Sequence, residues 1–224
     1  MMERHDLHSL LDLGNLFILH QRERAVITCL RRGGVTTANV SSLRFLEVGC
    51  GTGGLLPLLT YYGASPDRMF GIDLDRSRIR EARRRYPAIH FVVADAARLP
   101  LPTEGYDVAI QSTLFTSILD QRARRQAAAE MLRVLRPSGF VLWFDFRYNS
   151  PRNEKVRGIT RRQITRDLFP DTATFFVSTV LLPPLARRIA RASWLVAECL
   201  SLLRPLRSHY CALIRPRPTK PAAE

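Results

Sequence analysis

Lysine is nearly absent from this chain of 224 residues, although the chain is strongly basic. The only lysines are Lys155 and Lys220, among 34 basic residues that give a net charge of +14. An excess of arginine follows as readily from a GC-rich coding sequence as from selection for phosphate contacts. The arginines are also spread along the chain rather than concentrated in one stripe. Charge alone therefore favours acidic partners in general and argues against a dedicated nucleic-acid surface.

Cysteines and long apolar runs are also scarce. The four cysteines show neither paired metal spacing nor the density of a disulfide framework, so a reducing cytoplasm is expected. His5 and His8 have a metal-like spacing but lack further ligands. No secretory signal is expected at the start, and the uncharged run at residues 172–186 is shorter than the ~20 residues that span a bilayer. No membrane-spanning segment and no metal site are predicted.

Hydrophobic residues make up 46% of the chain, enough for one sizeable core. Short apolar runs alternate with helical patterns from residue 43 onward, which indicates a parallel sheet covered on both faces. The predicted strands are residues 43–48, 68–72, 89–94, 106–111 and 140–146, and the predicted helices between them are residues 54–62, 76–85 and 121–135.

Both ends of the chain add less regular elements to this pattern. Two helices, residues 7–20 and 22–31, are predicted before the glycines that follow them. In the C-terminal third the pattern predicts a helix at residues 160–168, a strand at 174–180, a long basic helix at 185–203 and a strand at 210–214. The basic helix could cover a sheet edge, form part of an acceptor lid or lie on an anionic membrane surface. The expected organisation is an N-terminal helical cap (1–34), one catalytic domain (35–215) and a basic tail (216–224).

The strongest motif is an apolar strand that runs into a glycine-rich turn at residues 45–54. Gly49, Gly51 and Gly54 let backbone N–H groups approach a ligand where any Cβ would collide. The same glycines satisfy the dinucleotide fingerprint, with Asp73 following Gly54 by 19 residues. The glycines alone therefore leave open a nicotinamide-dependent oxidoreductase.

Three acidic residues at strand ends favour a different nucleoside cofactor. Glu47 precedes the glycines, where it would repel a pyrophosphate but could serve the amino group of a methionine moiety. Asp73 is placed to accept both ribose hydroxyls, and Asp95 is placed to accept from an adenine amino group beside Ala96. Glu47 and Asp95 thus count against the oxidoreductase.

The ordered set of motifs resembles the class I methyltransferases that use S-adenosylmethionine. The matching segments are Glu47-x-Gly49-x-Gly51-x-Gly53, residues 71–73, residues 95–100, residues 106–108 and residues 132–139, with Ser138 standing where the family usually has a glycine. The resemblance implies a Rossmann-like α/β fold whose seven-stranded, mostly parallel sheet has helices on both faces and an antiparallel last strand. It implies S-adenosyl-L-methionine as cofactor, bound by Glu47, Gly49, Cys50, Gly51, Gly53, Asp73, Leu74, Asp95, Ala96 and Gln111.

The acceptor is less clearly indicated. Several segments after residue 112 resemble small methyltransferases found beside glycan or secondary-metabolite genes, which suggests a small-molecule acceptor methylated on oxygen. Asp145 and His209 are the candidate bases. Cys50 has no nearby base and is not expected to act as a nucleophile. An RNA methyltransferase and a non-catalytic protein that keeps the cofactor fold remain alternatives, although no base-binding Asn-Pro-Pro-Tyr motif follows the fourth strand.

Overall fold

A computed structural model describes residue 9, residues 11–149 and residues 156–217 of the chain. His5 and His8, and the tail after residue 217, lie outside these residues. The described part contains seven strands: β1 (Phe45–Val48), β2 (Met69–Asp73), β3 (His90–Val93), β4 (Tyr106–Ser112), β5 (Leu135–Phe146), β6 (Thr172–Leu181) and β7 (Arg207–Pro216). Its α-helices are α1 (Leu13–Arg32), α2 (Leu56–Tyr61), α3 (Arg76–Arg85), α4 (Gln121–Arg133), α5 (Pro183–Ala192) and α6 (Trp194–Ser201).

The strands form one sheet in the order β3-β2-β1-β4-β5-β7-β6. Strands β1 to β5 are parallel, and β7 runs antiparallel to both of its neighbours. This confirms the predicted Rossmann-like sheet with an antiparallel last strand. Strand order reverses between β1 and β4, and in open α/β sheets the crevice at such a switch point is where ligands bind.

Alternate residues of the central strands pack into two hydrophobic layers, one on each face of the sheet. Phe45 packs with α1, α2 and α3 on one face, whereas Leu46 belongs to the opposite layer with α4. Trp143 is fully buried in that second layer. Helices on both faces explain why these strands read as continuous apolar runs rather than as an alternating pattern.

The N-terminal prediction of two helices is wrong, because α1 is continuous from Leu13 to Arg32. No helix breaker lies between His20 and Arg22, and Gln21 at the expected junction is buried, where its side chain accepts a hydrogen bond from the N–H of Leu181. The helix ends at Gly33, as predicted. It packs on α5 and on the β5, β7 and β6 part of the sheet. That residues 1–34 cap the pocket stays a prediction.

The prediction of one long basic helix at residues 185–203 is also wrong, because α5 and α6 are separate helices. Ser193 between them is extended, with φ −156°, and its side chain accepts a hydrogen bond from the N–H of Val196 at 3.3 Å. The helix predicted at residues 160–168 is mainly a π-helical turn from Gln163 to Leu168. The predicted α3 agrees with the structure at both ends, and Asp75 caps it through the N–H groups of Ser77 and Arg78.

Candidate active site

A cavity of about 300 Å³ opens at the carboxyl ends of β1, β2 and β4. Its lining includes five of the residues that the sequence predicted for the cofactor: Gly49, Asp73, Leu74, Asp95 and Ala96. Ser112, which the sequence predicts beside the transferred methyl group, also lines the cavity. The remaining lining residues were not predicted for the cofactor: Ile72, Arg78, Ala94, Thr113, Leu114, Ser117 and Ile118.

A larger cavity of about 710 Å³ lies at the opposite end of the sheet, beside Phe45 and Tyr61. It is mostly apolar and lies away from the strand ends at which polar side chains meet. A ligand site is marked by a few convergent polar groups in a crevice at the switch point. The cavity at the carboxyl ends, which we call the switch-point cavity, is therefore the candidate active site.

The glycine turn borders the switch-point cavity at Gly49 and depends on its glycines for backbone shape. Gly49, Gly51 and Gly53 all have positive φ angles, of 77°, 54° and 135°. A Cβ on Gly53 would collide with the ring of Tyr86, whereas a Cβ on Gly51 would point into open space. Gly51 thus leaves room for a ligand to approach the backbone, while Gly53 allows the turn to pack.

Asp73 ties the end of β2 to the glycine turn. Its Oδ2 accepts a hydrogen bond from the N–H of Gly51 at 2.9 Å, and its Oδ1 accepts one from the N–H of Asp75 at the same distance. The carboxylate is only partly buried and borders the cavity. Each oxygen keeps a second acceptor position, so the group can receive hydroxyl donors without losing its backbone contacts.

Asp95 closes the far end of the cavity after β3. It is exposed, and its Oδ1 accepts a hydrogen bond from the N–H of Ala97 at 2.9 Å. This turn fixes the carboxylate beside Ala96 at the rim. The arrangement offers one acceptor next to an apolar surface, which suits the edge of an adenine ring.

Glu47 does not line the switch-point cavity but lies buried under the glycine turn. Its carboxyl oxygens accept the N–H groups of Leu55 at 2.7 and 2.9 Å and of Leu56 at 3.2 Å. Burial raises the pKa of Glu47 to about 8, against the opposing effect of the Arg22 charge. A Cβ on Gly54 would collide with this carboxyl group, so the turn closes tightly over it. The observed contacts make Glu47 the cap of α2; its predicted contact with a methionine amino group stays a prediction.

Four other predicted cofactor residues, Cys50, Gly51, Gly53 and Gln111, also lie outside the cavity lining. Cys50 and Gln111 are buried, and Gly53 packs on Tyr86. Burial raises the pKa of the Cys50 thiol far above its usual value, which leaves the thiol protonated and unsuited to nucleophilic attack. Gln111 accepts a hydrogen bond from the N–H of Leu114 at 3.2 Å and so holds the loop after β4.

Asp145 also holds the loop after β4. Its Oδ1 accepts the hydroxyl of Thr116 at 2.6 Å and the N–H of Phe146 at 2.9 Å, and its Oδ2 accepts the N–H of Thr116 at 3.2 Å. Burial raises the pKa of Asp145 to about 6, and the hydrogen bond from Thr116 opposes that rise. The side chain is 1% exposed and does not line the cavity. The carboxylate is engaged in fixing the loop rather than presented to a substrate.

His209 lies in β7, stacked between aromatic rings. Its ring centre is 4.9 Å from that of Phe144 and 4.0 Å from that of Phe146. The Ser208 hydroxyl donates to the carbonyl of Val180 at 3.0 Å. Its single proton is then used, so the Ser208 oxygen accepts a hydrogen bond from His209 Nδ1, 2.8 Å away. This pattern assigns the proton to Nδ1. Burial and the Arg22 charge lower the pKa of His209 to about 3, which keeps the ring neutral.

The loop of residues 113–118 contributes a wall that sequence reasoning missed. Thr113 has a φ of 58°, which is strained for a β-branched residue. Its N–H donates to the carbonyl of Phe144 at 2.8 Å, which holds the loop against β5. Strained residues at cavity walls often belong to functional sites, but no local sequence signal marks this one. Leu114 and Ile118 make the wall apolar.

Within the described residues, no helix is long and apolar enough to cross a membrane. Over the same residues, no group of three or more His, Cys, Asp or Glu side chains could hold a metal ion.

Comparison with known proteins bears on the glycine turn and the sheet around it. Residues 45–139 match the family model described as a methyltransferase domain. A phthiotriol/phenolphthiotriol dimycocerosates methyltransferase of Mycobacterium ulcerans is 36% identical over 127 residues, which cover 53% of this chain and 42% of that protein. A fatty-acid O-methyltransferase of Mycolicibacterium smegmatis is 35% identical over 125 residues, covering 53% and 43%. Each match spans less than half the relative's length.

Solved structures extend the likeness to most of the chain. An S-adenosylmethionine-dependent methyltransferase from Mesorhizobium loti matches with a TM-score of 0.58 and 20% identity, covering 85% of this chain and 98% of that one. At this identity the likeness establishes the fold alone.

Proposed function

We propose that this chain, which belongs to the class I S-adenosylmethionine-dependent methyltransferases, transfers a methyl group to an oxygen atom of a small, largely apolar acceptor. The observation that carries the proposal is the switch-point cavity, in which the glycine turn, Asp73 and Asp95 converge. Membership of the family implies S-adenosylmethionine as the cofactor, and the curated relatives suggest the kind of acceptor.

The residues at the cavity fit the cofactor. Gly51 leaves open space where a side chain would stand, and the partly exposed oxygens of Asp73 keep acceptor positions for hydroxyls. Asp95 and Ala96 offer an acceptor and an apolar contact at the far end. When bound, S-adenosylmethionine supplies a methyl group activated by its sulfonium. The protein then has chiefly to align the acceptor and exclude water.

The acceptor is proposed to be apolar because of the wall formed by the loop of residues 113–118, beside Gly49. Leu114 and Ile118 line that wall. Two relatives are named for a fatty acid and for phthiotriol dimycocerosates, which are lipids. RNA is disfavoured, since the arginines are dispersed and RNA enzymes need a concentrated basic surface.

We further propose that neither Asp145 nor His209 removes a proton from the acceptor. Both are buried, and neither lines the switch-point cavity. A carboxylate acceptor requires no base at neutral pH, because its oxygen is already deprotonated. The chain's contribution is then positioning by the loop of residues 113–118.

The test begins with cofactor binding. Titration calorimetry with S-adenosylhomocysteine should give saturable binding to the intact chain. Radiolabelled S-adenosylmethionine is then supplied with dodecanoate, dodecanol or bulk tRNA. Label in methyl dodecanoate supports the proposal in full. Label in the ether of dodecanol supports oxygen methylation, but the hydroxyl proton must then be removed, which would contradict transfer without a base.

Label at a defined nucleotide of tRNA would replace the proposal by an RNA methyltransferase. Binding of S-adenosylhomocysteine with no transfer to any of the three acceptors would contradict oxygen methylation of an apolar acceptor and favour a non-catalytic role.

A further inference from the structure

Arg22 is an arginine of α1 that reaches the ends of the central strands. Its Nη2 donates to the hydroxyl of Ser112 at 3.1 Å, and Ser112 lines the switch-point cavity. The Nε of Arg22 is inaccessible to solvent and has no hydrogen-bond partner among the described residues. In the same part of the chain no carboxylate oxygen lies within 4.0 Å of the guanidinium. Arg22 is therefore a partly buried cation without an ion-pair partner.

No described anionic side chain pairs with Arg22, and the Phe144 ring gives it only a cation–π contact. The guanidinium carbon lies 5.3 Å from the centre of the Phe144 ring, and His209 nearby is kept neutral. The acid with the strongest electrostatic effect on Arg22 is Glu47. The Glu47 oxygens, however, accept hydrogen bonds from the N–H groups at the start of α2. A desolvated charge left unpaired is costly, so its retention points to a partner that is not part of the chain.

The position of Arg22 defines which part of a ligand it would meet. Val48 pairs with Gln111, so Ser112 lies beside Gly49 at the ends of β4 and β1. Asp95 follows β3, three strands away, which is about 14 Å at the usual spacing of parallel strands. A nucleoside held by Asp73 and Asp95 therefore leaves its distal substituents, and the bound acceptor, at the Arg22 end.

We propose that Arg22 binds a carboxylate at the β1–β4 end of the switch-point cavity. The inference rests on the proposed function. The carboxylate belongs either to the amino-acid portion of the cofactor or to an acid acceptor. Arginine suits both, since its planar donors match a carboxylate and its charge persists at any working pH.

Calorimetry with two cofactor fragments distinguishes the sources. S-adenosylhomocysteine carries the amino-acid portion, whereas 5′-methylthioadenosine lacks it. Arg22→Gln is expected to weaken S-adenosylhomocysteine binding 10- to 100-fold, as for a lost charged hydrogen bond, and 5′-methylthioadenosine binding less than 2-fold. If instead both fragments bind normally and dodecanoate binding to the saturated protein weakens, the acceptor carboxylate is the partner.

Arg24→Gln is the matched control. Arg24 lies two residues away on the same helix, its side chain is 70% exposed, and it pairs with Glu198 at 2.8 Å. It should change none of these affinities.

A purely structural role for Arg22 would give a different pattern. In that case Arg22→Gln would lower the Tm of the ligand-free protein and leave all three affinities unchanged, which would overturn the proposal. A binding role predicts an unchanged or higher Tm without ligand, together with a smaller Tm rise on adding S-adenosylhomocysteine. Failure of the unmodified protein to bind S-adenosylhomocysteine would instead refute the proposed function.

Discussion

The two halves of the sheet are organised differently at their carboxyl ends. On the β3-β2-β1 side, Asp73 and Asp95 are held by backbone N–H groups and still face the switch-point cavity. On the β5-β7 side, Asp145 and His209 are buried and hydrogen-bonded within the protein. Similar polar residues at strand ends thus face a ligand cavity in one half and support its walls in the other. Burial and hydrogen-bond partners, rather than residue type, therefore decide which side chains are available for chemistry.

Gly51→Val should impair the cavity-facing half most severely. Its side chain would project into the open space beside the turn, and we expect S-adenosylhomocysteine affinity to fall by more than about 100-fold, or ~2.7 kcal/mol. Calorimetry measures the affinity, and circular dichroism checks that the sheet folds.

Gly34→Val is the matched control for that substitution. Gly34 also has a positive φ, of 92°, and open space where a Cβ would stand, but it lies at the end of α1. Both variants should lose about 1–3 kcal/mol of stability from backbone strain. Equal affinities in the two would show that the turn is not the cofactor site.

Asp73→Ala should weaken S-adenosylhomocysteine binding by about 1.5–3 kcal/mol, the cost of losing charged hydrogen bonds to the ribose. Asp75→Ala serves as the comparison, since Asp75 is exposed and caps α3 without lining the cavity. It should cost about 1 kcal/mol of stability and leave affinity unchanged. Normal binding by Asp73→Ala would remove Asp73 from the site.

The sequence predicted the cavity-facing half well because its signals are local. The glycine turn, the acids Asp73 and Asp95 at strand ends and the bounds of α3 each depend on a few neighbouring residues. The class of sheet followed from the alternation of apolar runs and helical patterns. The Ser193 break between α5 and α6 also has a local signal, a serine N-cap, which the amphipathic pattern outweighed.

The β5-β7 side of the sheet depends on contacts between residues distant in sequence and could not be predicted in the same way. Thr116 meets Asp145 and Arg22 meets Ser112 only after the sheet has formed, and the latter two are 90 residues apart. The positive φ angles of Thr113 and Val180 likewise come from the surrounding fold rather than from residue preference. Asp145 and His209 were candidate bases because of their place at strand ends, but both are buried in the folded chain.

Asp145→Asn should separate loop support from catalysis in the second half. Asparagine has a single oxygen acceptor, so it cannot replace both accepting oxygens of Asp145. We therefore expect a loss of about 1–3 kcal/mol in the free energy of unfolding and a higher KM for the acceptor. If Asp145 were a base, kcat would fall with little change in stability. Denaturant unfolding and steady-state kinetics, with Asp120→Asn at the exposed cap of α4 as control, distinguish these outcomes.

His209→Asn should remove one contribution to the pH dependence of stability, apart from the packing that the ring loses against Phe144 and Phe146. The pKa of His209 is lowered to about 3 in the folded protein and is about 6.5 when unfolded. Between these values the unfolded chain binds the additional proton, so this residue makes stability fall as the pH drops below about 6.5. The stability of the natural protein relative to His209→Asn should therefore decrease by about 2 kcal/mol from pH 6.5 to pH 4.5. Asparagine can still donate to Ser208, which keeps the local hydrogen bond, and His90→Asn, at an exposed position, supplies the control. Parallel pH profiles for the natural protein and His209→Asn would mean that His209 is exposed enough to titrate normally, and it would then return as a candidate base.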